Sequence, residues 1–83
     1  MNNEKVSVEN SLKINDEIQN QIDDIIFELI RERKKQKLSQ TKLSQMTGIP
    51  QATISRLESF ATVPTLHIVI KLSNALNMKL SLG

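Results

Sequence analysis

The apolar and polar positions of the chain fall into an aperiodic stretch, helical stripes and a short alternation of period two, and each change marks a change of element. Residues 1–11 are polar and aperiodic, which predicts a disordered segment. Ile14, Ile18, Ile22, Ile25, Ile26, Leu29 and Ile30 then recur at three- and four-residue steps, one stripe of a helix. Asp16 followed by Gln19 has the form of a capping box, so this helix is expected from near Glu17 to about Gln36. Ile14 and Ile18 lie further out than a first domain helix needs. A partner, a second subunit or their own domain would have to cover them. Near the other end, Thr65 can cap a helix over Leu66 to about Ala75, with Leu66, Val69, Ile70, Leu72 and either Leu76 or Ala75 facing inward. Asn77 is a plausible left-handed stop. Met78 to Leu82 alternates apolar and polar, the pattern of a short strand.

Between these lies Gln40 to Glu58, which reads as two short helices joined by a tight turn. Ser39 can cap the first, and Leu43 and Met46 share a face of it. Gly48 stands where a left-handed residue ends a helix. Ile49 can plug the turn, and Pro50 suits the first turn of the next helix, where its missing N–H costs little. Ile54 and Leu57 supply the inward face of that helix, and Ser44 is small where the two helices would cross. A small residue, a glycine, an apolar plug and an apolar pair at this spacing form the helix-turn-helix pattern of DNA-binding proteins. Opposite Ile54 and Leu57 a helical wheel places Ala52, Ser55, Arg56 and Ser59, with Gln51 on the shoulder. That face is short, polar and nearly uncharged. A surface kept only for solubility carries more Lys and Glu, whereas Gln, Ser, Ala and Arg touch or hydrogen-bond base edges.

Composition narrows the picture. The chain has 83 residues, with two Phe and neither Trp nor Tyr, so its core must be built from Ile, Leu, Val and Met. Burial on that scale is marginal for a monomer, and self-association is expected. Without cysteine there is neither a disulfide framework nor a thiolate metal site. No apolar run reaches the length of a bilayer span, and no leader peptide is recognisable, so a cytoplasmic location without membrane contact is expected. The net charge of +2 conceals an asymmetry. Residues 1–30 carry Lys5 and Lys13 against Glu4, Glu9, Asp16, Glu17, Asp23, Asp24 and Glu28, while the other nine bases all follow residue 30, against two acids. The basic part coincides with the helix-turn-helix pattern, the footprint of a nucleic-acid binder joined to an acidic arm. Arg31 to Lys37 suits the end of a helix dipole or an approach to phosphates; both uses stay open for Lys34, Lys35 and Lys37. An enzyme is not expected. The lone histidine, His67, has no partner in sequence, and the acids of the arm have no metal-ligand spacing. No metal, catalytic residue or cofactor is expected.

The stretch from about Ile22 to Leu82, and within it LSQTKLSQMTGIPQATISRLES followed by PTLHIVIKLSNAL, resembles the phage-repressor and Cro (Xre-type) helix-turn-helix family. The resemblance implies an all-α, four to five helix, lambda-repressor-like domain with a short C-terminal strand for dimerisation. It implies a flexible acidic arm over residues 1–15 and a DNA-binding domain over residues 16–83. It further implies that Gln40 contacts a phosphate and stacks on Gln51, and that Gln51 reads a base. Ala52, Ser55 and Arg56 would face bases, and Lys42, Thr53 and Ser59 complete the DNA-binding set. Arg33 and Glu58 match the family's interhelix ion pair in position and type. Phe60 departs from the pattern, since many members carry glycine after the recognition helix. Within the family, TGIPQATISRLES and the terminal strand are similar to antitoxins of type II toxin–antitoxin operons, of HigA or HipB type. The expected partners are then a double-stranded DNA operator, a second copy joined through Leu72, Leu76, Met78, Leu80 and Leu82, and a ribonuclease-like toxin. The acidic arm would clamp that toxin or serve only as a solvated tail. The alternative is a stand-alone dimeric repressor without a toxin, and a protein-interaction module that binds no DNA is a third class.

Overall fold

A computed structural model describes residues 4–78 of the chain, with side chains from residue 15 onward. Four helices follow one another: α1 (Glu4–Lys35), α2 (Gln40–Thr47), α3 (Gln51–Glu58) and α4 (Leu66–Ala75). Among the described residues the architecture is all-helical. The alternating stretch expected as a strand lies, beyond Met78, outside the described residues, and Leu80 and Leu82 lie there too. The start of α1 corrects the sequence expectation. The helix begins at Glu4 rather than near Glu17, so residues 4–15, expected as a flexible arm, have helical backbone. Neither proline nor glycine interrupts residues 4–35, and the Asp16–Gln19 capping pattern sits inside a continuous helix instead of opening one.

Ile26 and Leu29 of α1, Leu43 of α2, Ile49 of the turn, Ile54 and Leu57 of α3, and Leu72 and Leu76 from the α4 end form one core, each no more than 5% exposed. Val69 is buried beside them. Two inward assignments on α4 are reversed: Leu66 is 60% and Ile70 42% exposed. Apolar residues cover more than half the circumference of this helix, opposite His67, Lys71 and Asn74, and the packing against α2 takes Val69 and Leu72 from that broad arc and leaves Leu66 and Ile70 at its exposed edge. Met46 on α2 also faces outward.

The helices end by three related stops. Lys37, Phe60 and Asn77 all adopt positive φ, at 60°, 60° and 57°. At each, the following N–H reaches back to a carbonyl five residues earlier: Leu38 to Arg33, Ala61 to Arg56 and Met78 to Ser73. These are Schellman closures, which normally favour glycine at the left-handed position. Asn77 tolerates that conformation; Lys37 and Phe60 hold it at a cost of about 1–2 kcal/mol each. Gly48, at φ 75°, closes α2 by donating its N–H to Ser44 O at 2.8 Å.

α1 is tied to the others by polar contacts at its basic end. Arg33 Nε and Nη2 donate to the two carboxylate oxygens of Glu58, each at 2.7 Å, and Nη1 donates to Leu38 O at 2.7 Å. The paired side chains are only 10% and 11% exposed. Hydrogen bonding to Glu58 raises the Arg33 guanidinium pKa above its ordinary value; burial opposes the rise and the charge of Glu58 adds to it. Gln36 Nε2 donates to Leu76 O at 2.8 Å and joins α1 to the end of α4.

Removing Glu58 strands Arg33 as a buried cation, at a cost of about 3–5 kcal/mol. Glu58→Ala is therefore expected to lower Tm by more than about 10 °C in a domain of this size. Glu32→Ala, which removes only an acceptor for Gln36 Nε2, is expected to shift Tm by far less. Equal shifts in thermal denaturation would show that Glu58 is not held as described.

Candidate nucleic-acid interface

α3 has eight residues, a rod about 12 Å long and about 10–12 Å across, a diameter that a DNA major groove about 12 Å wide admits. It is anchored from beneath by Ile54 and Leu57, each 1% exposed. Thr53 N–H and Ile54 N–H donate to Pro50 O, so the proline stands at the cap instead of inside the first turn. With the inward face fixed, Gln51, Ala52, Ser55, Arg56 and Ser59 are all exposed on the other side, and Thr53 is half-buried at the edge. The Arg56 side chain has no hydrogen-bond or ion-pair partner among the described residues and is free to reach a ligand.

The turn that presents α3 is closed by side chains as well as by Gly48. Ser44 Oγ donates to Ile49 O at 2.5 Å, Thr47 Oγ1 donates to Leu43 O at 2.8 Å, and Ile49 N–H donates to Thr47 Oγ1 at 3.2 Å. Smallness alone explains Ser44 in the sequence, yet its hydroxyl is part of the turn. Thr47 carries no signal in the sequence beyond its place before a glycine. Ser39 Oγ accepts from Lys42 N–H at 2.9 Å and caps α2, whose head carries Gln40.

Gln40 is drawn into the polar contact beneath it. Its Nε2 donates to Glu58 Oε1 at 3.1 Å, the same oxygen that pairs with Arg33 Nη2. The head of α2, the end of α3 and the end of α1 are thus held by one carboxylate. The second Nε2 hydrogen of Gln40 stays available to a phosphate acceptor. Lys42, Lys34, Lys35 and Lys37 are exposed. Leu72 and Leu76, expected at a subunit contact, are instead 1% exposed in the core of their own chain, because they fall on the α4 face that meets α2. Met78 is half-buried and packs against that core. The apolar surface α4 offers outward is Leu66 and Ile70, with Val63 exposed before them. His67 is exposed, and the described residues contain no cluster of His, Asp or Glu able to hold a metal ion. No described helix is long and apolar enough to cross a membrane.

A helix-turn-helix family model matches residues 29–82 of the chain. The match runs from the buried Leu29 of α1 across α2, the closed turn, α3 and α4, and so covers every residue of the presented face. No curated protein and no solved structure matches the chain. With more than half its length inside the match and an anchored, outward-polar second helix at the centre of it, the chain belongs to the Xre/lambda-repressor-like helix-turn-helix family of DNA-binding transcriptional regulators.

Proposed function

We propose that this protein is a sequence-specific repressor that acts as the antitoxin of a type II toxin–antitoxin operon and represses that operon as a homodimer. The observation that carries the DNA-binding half is the exposed row Gln51, Ala52, Ser55, Arg56 and Ser59 on a helix whose opposite side is locked into the core. Gln51 and Arg56 are the long polar side chains on that row and are assigned to base edges. Gln40, Lys42, Thr53 and Ser59 are assigned to the phosphate backbone. The acidic first half of α1 supports the antitoxin half of the reading. It repels DNA and carries an apolar stripe past the domain body, where Ile18 is 46% exposed. An acidic helix with an unfinished apolar face suits a basic protein such as a ribonuclease. The protein is not assigned a catalytic role, a cofactor or a membrane contact, and its place is the cytoplasm, with its operator.

Dimerisation is assigned to the outward α4 surface of Leu66 and Ile70 together with the alternating segment from Met78 to Leu82, antiparallel across a two-fold axis. Such a dimer sets two recognition helices about one DNA turn apart, roughly 34 Å, on a palindromic site. Truncation after Asn77 is expected to shift the protein toward monomer in sedimentation and to weaken operator binding more steeply on dilution. An unchanged dimer would remove the terminal segment from the contact.

A good bidentate base contact is worth about 1–3 kcal/mol. Arg56→Ala is therefore expected to lower operator affinity by about tenfold or more and to relax preference at one position per half-site. Retained affinity and preference in a gel-shift series would take Arg56 out of readout. Deleting residues 1–20 is expected to leave operator affinity unchanged or slightly improved and to reduce protection of cells against the protein encoded by the adjacent reading frame. A stand-alone repressor would show no such loss, and loss of operator binding by a folded deletion would place the helix on DNA.

A further inference from the structure

The only two aromatic residues of the chain are Phe27 and Phe60, and neither is in the core. They meet on the surface, Phe27 on α1 and Phe60 just past α3, with ring centroids 4.8 Å apart and planes tilted by 48°. Phe27 is 57% and Phe60 40% exposed. Phe60 holds its ring there from a left-handed backbone position, φ 60°, that glycine would occupy without strain. A small core that lacks aromatic burial thus leaves both of its large apolar side chains facing outward. Two large apolar rings held together in the open, where neither packs into the core, mark an interaction surface.

The surroundings specify the occupant. Asp24, Phe27, Glu28 and Arg31 are all exposed, and Asp24 and Arg31 each lie three and four positions from the central Phe27 and Glu28, so the four share one stripe of α1. With Ile30 they line a groove beside the Phe27 ring. Arg31 is ion-paired to Glu28 within the helix and retains donors for a second carboxylate. Charge reverses along α1, from Asp23 and Asp24 to Arg31, Lys34 and Lys35. If a second α1 runs antiparallel, with the two-fold axis between positions 27 and 28, Asp24 of each copy stands opposite Arg31 of the other. The Phe27 rings then lie beside the axis, each over the groove of the other copy, and Phe60 closes the flank. A parallel arrangement would set Asp24 against Asp24 and Arg31 against Arg31. DNA is disfavoured by Asp24 and Glu28.

We propose that the Phe27–Phe60 patch and the Asp24–Arg31 stripe form an isologous contact between two copies of this chain. The contact shares no residue with the α4 surface of Leu66 and Ile70. Two different two-fold contacts on one chain join dimers into tetramers or longer rows. Regulators joined in this way would occupy neighbouring operators cooperatively.

The test is sedimentation of the full chain over a concentration series. Phe27→Ala and Phe60→Gly are each expected to raise the dissociation constant of the larger assembly by about tenfold or more. Phe60→Gly also relieves the left-handed strain, so its Tm is expected to be equal or higher, which separates loss of the contact from loss of the fold. Asp24→Arg and Arg31→Asp are each expected to weaken assembly, and the double variant to recover it. Sedimentation unchanged in both phenylalanine variants would overturn the proposal. So would a double charge reversal no better than the single ones. Loss of operator affinity in Phe60→Gly with assembly intact would overturn it too, by assigning the patch to DNA.

Discussion

Arg33 and Glu58 hold the rest of the structure in place. The guanidinium comes from the basic end of α1 and the carboxylate from the last residue of α3, and Gln40 at the head of α2 binds the same carboxylate. Arg33 also satisfies Leu38 O, a carbonyl in the loop that follows its own helix. Taking two charges out of water is costly, and a buried pair repays that cost only when its geometry is good and its remaining hydrogen bonds are made. Both conditions hold at 2.7 Å in a two-pronged contact. What the pair adds is direction. Apolar packing of Ile26, Leu29, Ile54 and Leu57 allows helices to slide, whereas a planar fork on a carboxylate fixes one angle and one register.

That fixed register reaches the DNA-facing surface through very few atoms. Gln40 is one hydrogen bond from Glu58 and stands at the head of α2, while Arg56 and Ser59 flank Glu58 at the end of α3. The turn between α2 and α3 is closed by Gly48, Ser44 and Thr47, which fixes the two helices to each other. A displacement of α1 against these two helices would be felt first at Glu58. Helix ends matter for the same reason. Lys37, Phe60 and Asn77 stop α1, α3 and α4 by the same backbone closure, and the loops that leave them start in a defined direction.

The small core has consequences for the outer surface. Its members are aliphatic, and nearly every one sits on a helix face that meets another helix. Apolar residues beyond what those faces could absorb were left outside in separate places: Leu66 and Ile70 on α4, Phe27 on α1 against Phe60 just past α3, and Ile18 along the acidic half of α1. The polar row of α3 is free of such residues. The surface thus divides into one face suited to base edges and several suited to protein.

Much of this was legible in the sequence because it depends on short-range rules. Ser39, Gly48, Pro50 and Thr65 mark helix ends through their own backbone and hydroxyl chemistry, and Ile54 with Leu57 fixes the outward face of α3 by spacing alone. The match to the family's ion pair carried the pairing of Arg33 and Glu58, whereas nothing in the residue types around Gln40 marked it as a third partner of that carboxylate. The start of α1 was misread because a capping pattern is a local preference, and a chain free of proline and glycine can run through it. On α4 the apolar residues form an arc wider than one helix contact can cover, so periodicity could not tell Leu66 and Ile70 from Val69 and Leu72; the position of α2 decided it. The sequence by itself determined the bounds of α2, α3 and α4 and which side of α3 is polar, because capping, turn chemistry and spacing act within a few residues. Only the tertiary structure decided which apolar residues are core and which are surface, because burial depends on where the neighbouring helices lie.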